Sequence, residues 1–117
     1  MLAAPVNPAD LNQVQGNYPL QSSGAVHIGG NEGVAVVVAV GKEVKELAPG
    51  DWVIPNVGAF GTWREQVVCL NSDVQKIPNS IPLSVAATLK VNPPTAYRLL
   101  RDFHTLKQGN FTNPYHS

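Results

Sequence analysis

Few residues in this sequence are equipped for chemistry. Tyr18 sits in the polar segment QGNYPLQSSG, Glu32 lies between glycines in GGNEG, Asn92 precedes two prolines in VNPPTAYR, Cys69 is the single cysteine, and His27, His104 and His116 are scattered. A phenol has a reference pKa of about 10, so Tyr18 stays protonated at neutral pH and can donate a proton without tuning. It fits equally as an ordinary loop aromatic with its ring packed and its hydroxyl in water. Glu32 reads first as a carboxylate accepting hydrogen bonds from backbone groups in a tight turn. Asn92 reads as a helix cap, a role that leaves its amide able to serve a ligand as well. Cys69, in the run EQVVCL, reads as a small buried hydrophobe rather than a nucleophile. One cysteine rules out an internal disulfide and a multi-cysteine zinc site and fits a reducing compartment.

The chain has 117 residues, the size of one ordinary domain and short for a complete two-substrate enzyme. Eight Lys plus Arg balance eight Asp plus Glu with no block of like charge, so there is no electrostatic footprint for nucleic acid or an acidic membrane. A neutral small-molecule or thioester site suits this balance better. The longest apolar run, Val34 to Val40, is too short to cross a bilayer. MLAAPVNPADL has neither a basic start with an apolar core nor an arginine-rich amphipathic leader, so no targeting peptide is expected there. LAAP instead looks like the end of a strand whose pairing partner lies outside this chain. The tripeptide NFT at Asn110 matches a glycosylation acceptor but has no secretory signal to accompany it.

Ten glycines and ten prolines cut the chain into short pieces, as expected of a β-rich domain with tight turns. Asn7 with Pro8 opens a short helix over NPADLNQVQ that Gly16 closes. The β-branched run GVAVVVAVG predicts a strand buried on both faces. ELAPGDWVIP joins a Pro-Gly turn to a second strand, and GTWREQVVCL predicts a third. These strands are expected to curl into a partly open barrel. IPLSVAATLKV and NPPTAYRLLRDF predict helices; in the second, Ala96, Leu99, Leu100 and Phe103 form an apolar stripe that must pack on the barrel's flank or on a further domain. Trp52 and Trp63 read as core residues, with Trp63 in GAFGTW also placed to line an acyl channel.

Taken in order, NPADLNQVQGNY, GGNEGVAVVVAVG, LAPGDWVIP, GTWREQVV, IPLSVAATL and VNPPTAYRLL resemble the catalytic barrel of the medium-chain dehydrogenase/reductase superfamily. The glycine motif with PGDWVIP carries the superfamily likeness; QGNY, GTWR and NPPTAYR narrow it to the mitochondrial trans-2-enoyl thioester reductases. The resemblance implies an α+β fold, a GroES-like, partly open β-barrel with flanking helices over residues 1–108, followed by a divergent tail at 109–117. It implies reduction of enoyl-CoA or enoyl-ACP thioesters in mitochondrial fatty acid synthesis with NADPH as cofactor, a homodimer for the full-length enzyme, and neither a nucleic-acid nor a membrane partner. The tyrosine matching Tyr18 would donate the proton and the asparagine matching Asn92 would contact NADPH. Zinc-dependent relatives carry a histidine where this chain has Asn31, so the resemblance is to a metal-free reductase.

This sequence also departs from the family pattern. After LKQG it reads NFTNPYHS, where the family enters its dinucleotide-binding fold, so most of the NADPH site is expected to be absent. YPLQSSGAVHI appears one residue longer than the usual loop before the glycine motif, and Lys90 replaces a small glycine beside the expected nicotinamide. These departures predict a truncated product of marginal stability, with the first strands missing around LAAPVN and the last helix uncovered. A non-catalytic reductase-like interaction module and a quinone oxidoreductase are the alternative readings.

Overall fold

The computed structural model describes residues 1–17, 28–103 and 105–109. Helix α1 runs Pro8–Val14. Asn7 precedes it in extended conformation, and its backbone N–H donates to Asp10 Oδ2 at 2.8 Å, which satisfies a donor the helix start leaves free. The helix ends as the sequence suggests, with Gly16 at φ +74°.

Strands β1 (Ala35–Val36), β2 (Trp52–Pro55) and β3 (Val74–Ile77) form an antiparallel sheet in that order. Ala35 pairs with Val53, and Trp52 to Pro55 pair with Ile77 to Val74. The turn before β2 is built as its residues require. Gly50 takes φ +94°, the Asp51 N–H donates to the Ala48 carbonyl at 3.1 Å, and the Asp51 carboxylate accepts the Ala48 N–H at 2.9 Å. Helix α2 (Leu83–Ala87) brings Ala86 and Ala87 onto Val34, Ile54 and Ile77, and Ala3, Trp52, Ile81 and Leu89 close around that core. Small alanines let the helix backbone approach the sheet, so few residues suffice to seal it.

Several expectations need correction. The segment at 61–70 is not a strand, and the third strand is Val74–Ile77. Gly61 and Thr62 N–H groups both turn back to the Gly30 carbonyl, and Trp63 N–H to Gly29; beyond that point Val68 is fully exposed and, among the described residues, no strand pairs with it in a ladder. The valine run is not buried on both faces: Val34 is inaccessible, whereas Val38 is 74% exposed. LAAP has a neighbour within this chain, because Ala3 bridges Val34 and the terminal amine of Met1 donates to the Glu65 carbonyl. Cys69 is exposed; partial burial and the Asp73 carboxylate nonetheless push its thiol pKa up, against a smaller effect of Arg64. Trp63 is outside the core and lies across the Gly29–Gly30 backbone, its Nε1 donating to the Pro5 carbonyl at 3.2 Å.

Helix α3 spans Asn92–Asp102. Its apolar stripe does not pack on the barrel's flank: no residue of the helix is buried, and Leu99, Leu100 and Phe103 stand in solvent. No helix among the described residues is long and apolar enough to cross a membrane.

Candidate active site

Among the residues singled out in the sequence, Glu32 sits at the centre of a polar network on the glycine motif and Asn92 reaches its margin. Gly30 adopts φ +94°, and a Cβ there would stand 2.2 Å from Thr62 Oγ1. Only glycine therefore allows the 61–63 loop to close over this turn. That closure buries Glu32 almost completely. Its Oε1 accepts from Asn7 Nδ2 at 2.7 Å, its Oε2 accepts the Val91 N–H at 3.0 Å, and its backbone carbonyl accepts Thr62 Oγ1 at 2.8 Å. Glu32 thus fastens α1 and the start of α3 to the turn, the structural role read from sequence, with an added side-chain partner in Asn7.

Asp10 is the second buried carboxylate. Besides the Asn7 N–H, it accepts the Asn31 N–H at 3.1 Å and Asn31 Nδ2 at 2.7 Å. Asn31 Nδ2 also donates to Gln13 Oε1 at 3.0 Å, and Asn31 Oδ1 accepts the Ala59 N–H at 3.1 Å. Ala59 has φ +52°, a left-handed conformation unusual for alanine, and the Asn31 amide is what holds it. Both ends of that amide are committed inside the chain. Sequence inspection passed over Asp10, although an acid three residues after a capping asparagine is a recognisable signal.

Asn92 is the first residue of α3 rather than its cap. Its Nδ2 lies 3.5 Å from Asn7 Oδ1, at the outer limit of a hydrogen bond, and its own carbonyl oxygen has no partner among the described residues. Helix α3 has no side-chain cap; within its first turn Thr95 Oγ1 donates back to the Val91 carbonyl at 2.7 Å. Beside it, Lys90 Nζ donates to the Val57 carbonyl at 2.5 Å. Burial pushes the Lys90 pKa down, and the Glu32 charge opposes that shift. Arg64, the last residue of GTWR, donates from one terminal nitrogen to the Phe60 carbonyl at 2.7 Å and stacks over the Phe60 ring at 5.3 Å, and its buried Nε has no partner among the described residues. Tyr18 and His27 lie outside the described residues. The segment containing Tyr18 leaves α1 at Asn17, whose N–H donates to the Asn12 carbonyl at 2.8 Å, and rejoins the described chain at Ile28, just ahead of the glycine motif.

A glycine turn carrying a buried glutamate, an antiparallel sheet beyond it and helices on its flank match a known pattern. Residues 1–79 fit the family described as the alcohol dehydrogenase GroES-like domain. The chain belongs to this family.

Its relatives narrow the resemblance. This GroES-like domain is 54% identical over 110 residues to the mitochondrial enoyl-acyl-carrier-protein reductase of Homo sapiens, covering 94% of this chain and 29% of that protein. Against the Caenorhabditis elegans protein of the same name it is 49% identical over 109 residues, covering 93% and 31%. Among solved structures it superposes on Etr1p in complex with NADP and crotonyl-CoA with a TM-score of 0.84 at 36% identity, over 89% of this chain and 34% of that one. The Etr1p/Etr2p heterodimer of mitochondrial 2-enoyl thioester reductase from Candida tropicalis superposes with a TM-score of 0.82 at the same 36% identity and the same coverage. The GroES-like domain described here thus spans about a third or less of the length of each protein it matches.

Proposed function

We propose that this chain carries the substrate-side half of an NADPH-dependent trans-2-enoyl thioester reductase of mitochondrial fatty acid synthesis, with residues 1–108 as the catalytic domain and 109–117 as a divergent tail. The observation that carries the reading is the 54% identity to a mitochondrial enoyl-acyl-carrier-protein reductase along nearly the whole chain. A structural neighbour named as a complex with NADP and crotonyl-CoA supports the same cofactor and the same thioester chemistry. Another, named as a mitochondrial heterodimer, supports a mitochondrial setting and a dimeric full-length enzyme.

Reduction of an α,β-unsaturated thioester needs a hydride at the β-carbon, a stabilised enolate oxygen and a proton at the α-carbon. NADPH, when bound, supplies the hydride. Tyr18 holds the proton on its phenol and delivers it to the α-carbon. Asn92 contacts the cofactor: its amide oxygen at the head of α3 is exposed and has no partner among the described residues, which suits a donor such as a carboxamide or a ribose hydroxyl. Glu32, Asp10 and Asn31 act by fixing the turn, α1 and α3 relative to one another, so that the two ends of the Tyr18 segment and the Asn92 amide keep one geometry.

The test follows NADPH oxidation by absorbance with crotonyl-CoA as substrate, using the chain alone and the chain joined to the dinucleotide-binding domain of a relative. Turnover is expected from the joined protein, falling at least about 100-fold in Tyr18→Phe, the usual contribution of a positioned general acid. Asn92→Ala is expected to raise the KM for NADPH. Unchanged turnover in Tyr18→Phe would remove the proton-donor assignment, and a joined protein that reduces quinones in preference to enoyl thioesters would remove the substrate class.

A further inference from the structure

Lys90 is a half-buried amine that the reductase chemistry leaves unused. Its Nζ is fixed by the Val57 carbonyl at 2.5 Å, an acceptor that carries no charge. Among the described residues no carboxylate forms an ion pair with it. Glu32 lies near enough for its charge to act on the ammonium, but both of its oxygens are already taken, by Asn7 Nδ2 and by the Val91 N–H. The kind of acceptor matters. A carboxylate favours the charged ammonium, whereas a carbonyl is satisfied by one N–H of a neutral amine, whose lone pair then stays free. Burial favours that neutral form and pushes the Lys90 pKa down, with the Glu32 charge opposing.

Other lysines of the chain are placed differently. Lys76 Nζ lies 2.7 Å from Asp51 Oδ2, and Lys42 and Lys45 are exposed. A paired or fully hydrated ammonium holds its proton at neutral pH and has no lone pair to offer. Lys90 also has a particular address. Its neighbour Val91 is bonded to Glu32, and Asn92, one residue further, is the side chain assigned to the cofactor at the head of α3. A lysine taken partly out of water beside a ligand site has the character of a nucleophile towards carbonyl carbon.

We propose that Lys90 is a site of N-acylation by acyl thioesters; the inference rests on the thioester substrate class given above for its acyl donor. The neutral Nζ attacks the thioester carbonyl carbon. A nitrogen–carbon bond forms, the carbon–sulfur bond breaks, and its electron pair leaves on sulfur. The proton lost by nitrogen goes to the thiolate, so the products are an amide and a free thiol, with nothing oxidised or reduced. The amide keeps one N–H for the Val57 carbonyl. The positive charge beside Glu32 disappears, and an acyl group stands two residues before Asn92.

The test incubates the full chain with acetyl-CoA and follows acetylation of Lys90, Lys42 and Lys45 by peptide mass spectrometry between about pH 7 and pH 10, the range in which lysines begin to release their protons. At about pH 7.5 Lys90 should react at least about threefold faster than Lys42 and Lys45, as expected of a desolvated amine. Its rate should also level off at a lower pH than theirs, because it loses its proton first. In urea the preference should vanish with the burial and the Val57 contact that create it. Lys90→Arg, which keeps a donor and a charge, should abolish labelling at that position and leave the rates at Lys42 and Lys45 unchanged. Equal rates in the folded chain, coincident pH curves, or a preference that persists in urea would overturn the proposal. Acetyl-CoA has no double bond to reduce, so the two readings fail separately: Lys90 labelling without enoyl reduction in the joined protein removes the reductase assignment, and reduction without preferential labelling removes this one.

Discussion

The glycine-turn network and the valine edge lie at opposite ends of the same β1 segment, and they solve burial in opposite ways. At the turn, two carboxylates and a threonine hydroxyl are buried beside a half-buried asparagine amide, and each finds its partners within the chain. At the edge, valines and leucines stand exposed around an open cavity. Polar groups demand short, directional contacts and are satisfied by a handful of atoms held in place. Apolar surface demands area, and a domain of this size must find that area elsewhere. The polar half is satisfied by partners within the chain, and the apolar half remains exposed among the described residues.

Mutations can break or sharpen that contrast. The largest effect is expected from Asp10→Ala, which removes the acceptor of the part-buried Asn7 and Asn31 backbone N–H groups and one of the two acceptors of Asn31 Nδ2; a loss of about 3 kcal/mol in urea unfolding follows if the two backbone donors stay unpaired. Gly30→Ala comes next, at about 2 kcal/mol, because φ +94° disfavours a side chain and the new methyl would collide with Thr62. If Gly30→Ala were neutral, the tight closure of the 61–63 loop over the turn would not be what buries Glu32. A smaller effect concerns acid. The Lys76 hydrogen bond and the Ala48 N–H hold the Asp51 pKa below its ordinary value of 3.8. A depressed carboxylate stabilises the fold above that value, and the contribution fades as pH falls through the lowered folded-state pKa. Asp51→Asn should therefore lower stability slightly at neutral pH, where the contribution is fully present, and match the parent as pH falls below about 4; the difference is small because the surface pair is solvent-screened. The smallest change is expected on α3: Phe103→Ser should shift stability by less than about 0.5 kcal/mol, since the ring is exposed, while raising solubility. A large loss there would mean that the stripe is packed in solution.

What was legible in the sequence follows the same division. Helix starts and stops are local, so Asn7, Pro8 and Gly16 announced α1, and the prolines after Asn92 announced α3. The Pro-Gly turn was equally plain because its φ requirement is written in one residue. Strand membership is not local. GTWREQVVCL has the composition of a strand but no pairing neighbour among the described residues, whereas VQKI, with two polar residues in four, is a strand because β2 offers it a ladder. Trp63 misled for a related reason: two glycines with no side chains make a flat surface on which an indole can rest outside the core. Of the candidate site, Asn31 and Glu32 were visible through the glycines flanking them. Asp10 was hidden by its separation of 21 residues from the asparagine it holds.

That separation bears on how the chain reaches its native state. Glu32 bonds Asn7 on one side and Val91 on the other, 25 and 59 residues away, and the Met1 contact to Glu65 closes a span of 64. None of these links rewards a short nascent segment, because the entropy of closing each loop must be met before its hydrogen bonds form. A ribosome making this protein would have to release residue 91 before the glycine turn acquires its last partner, so folding is late, slow and set by topology rather than by helix formation.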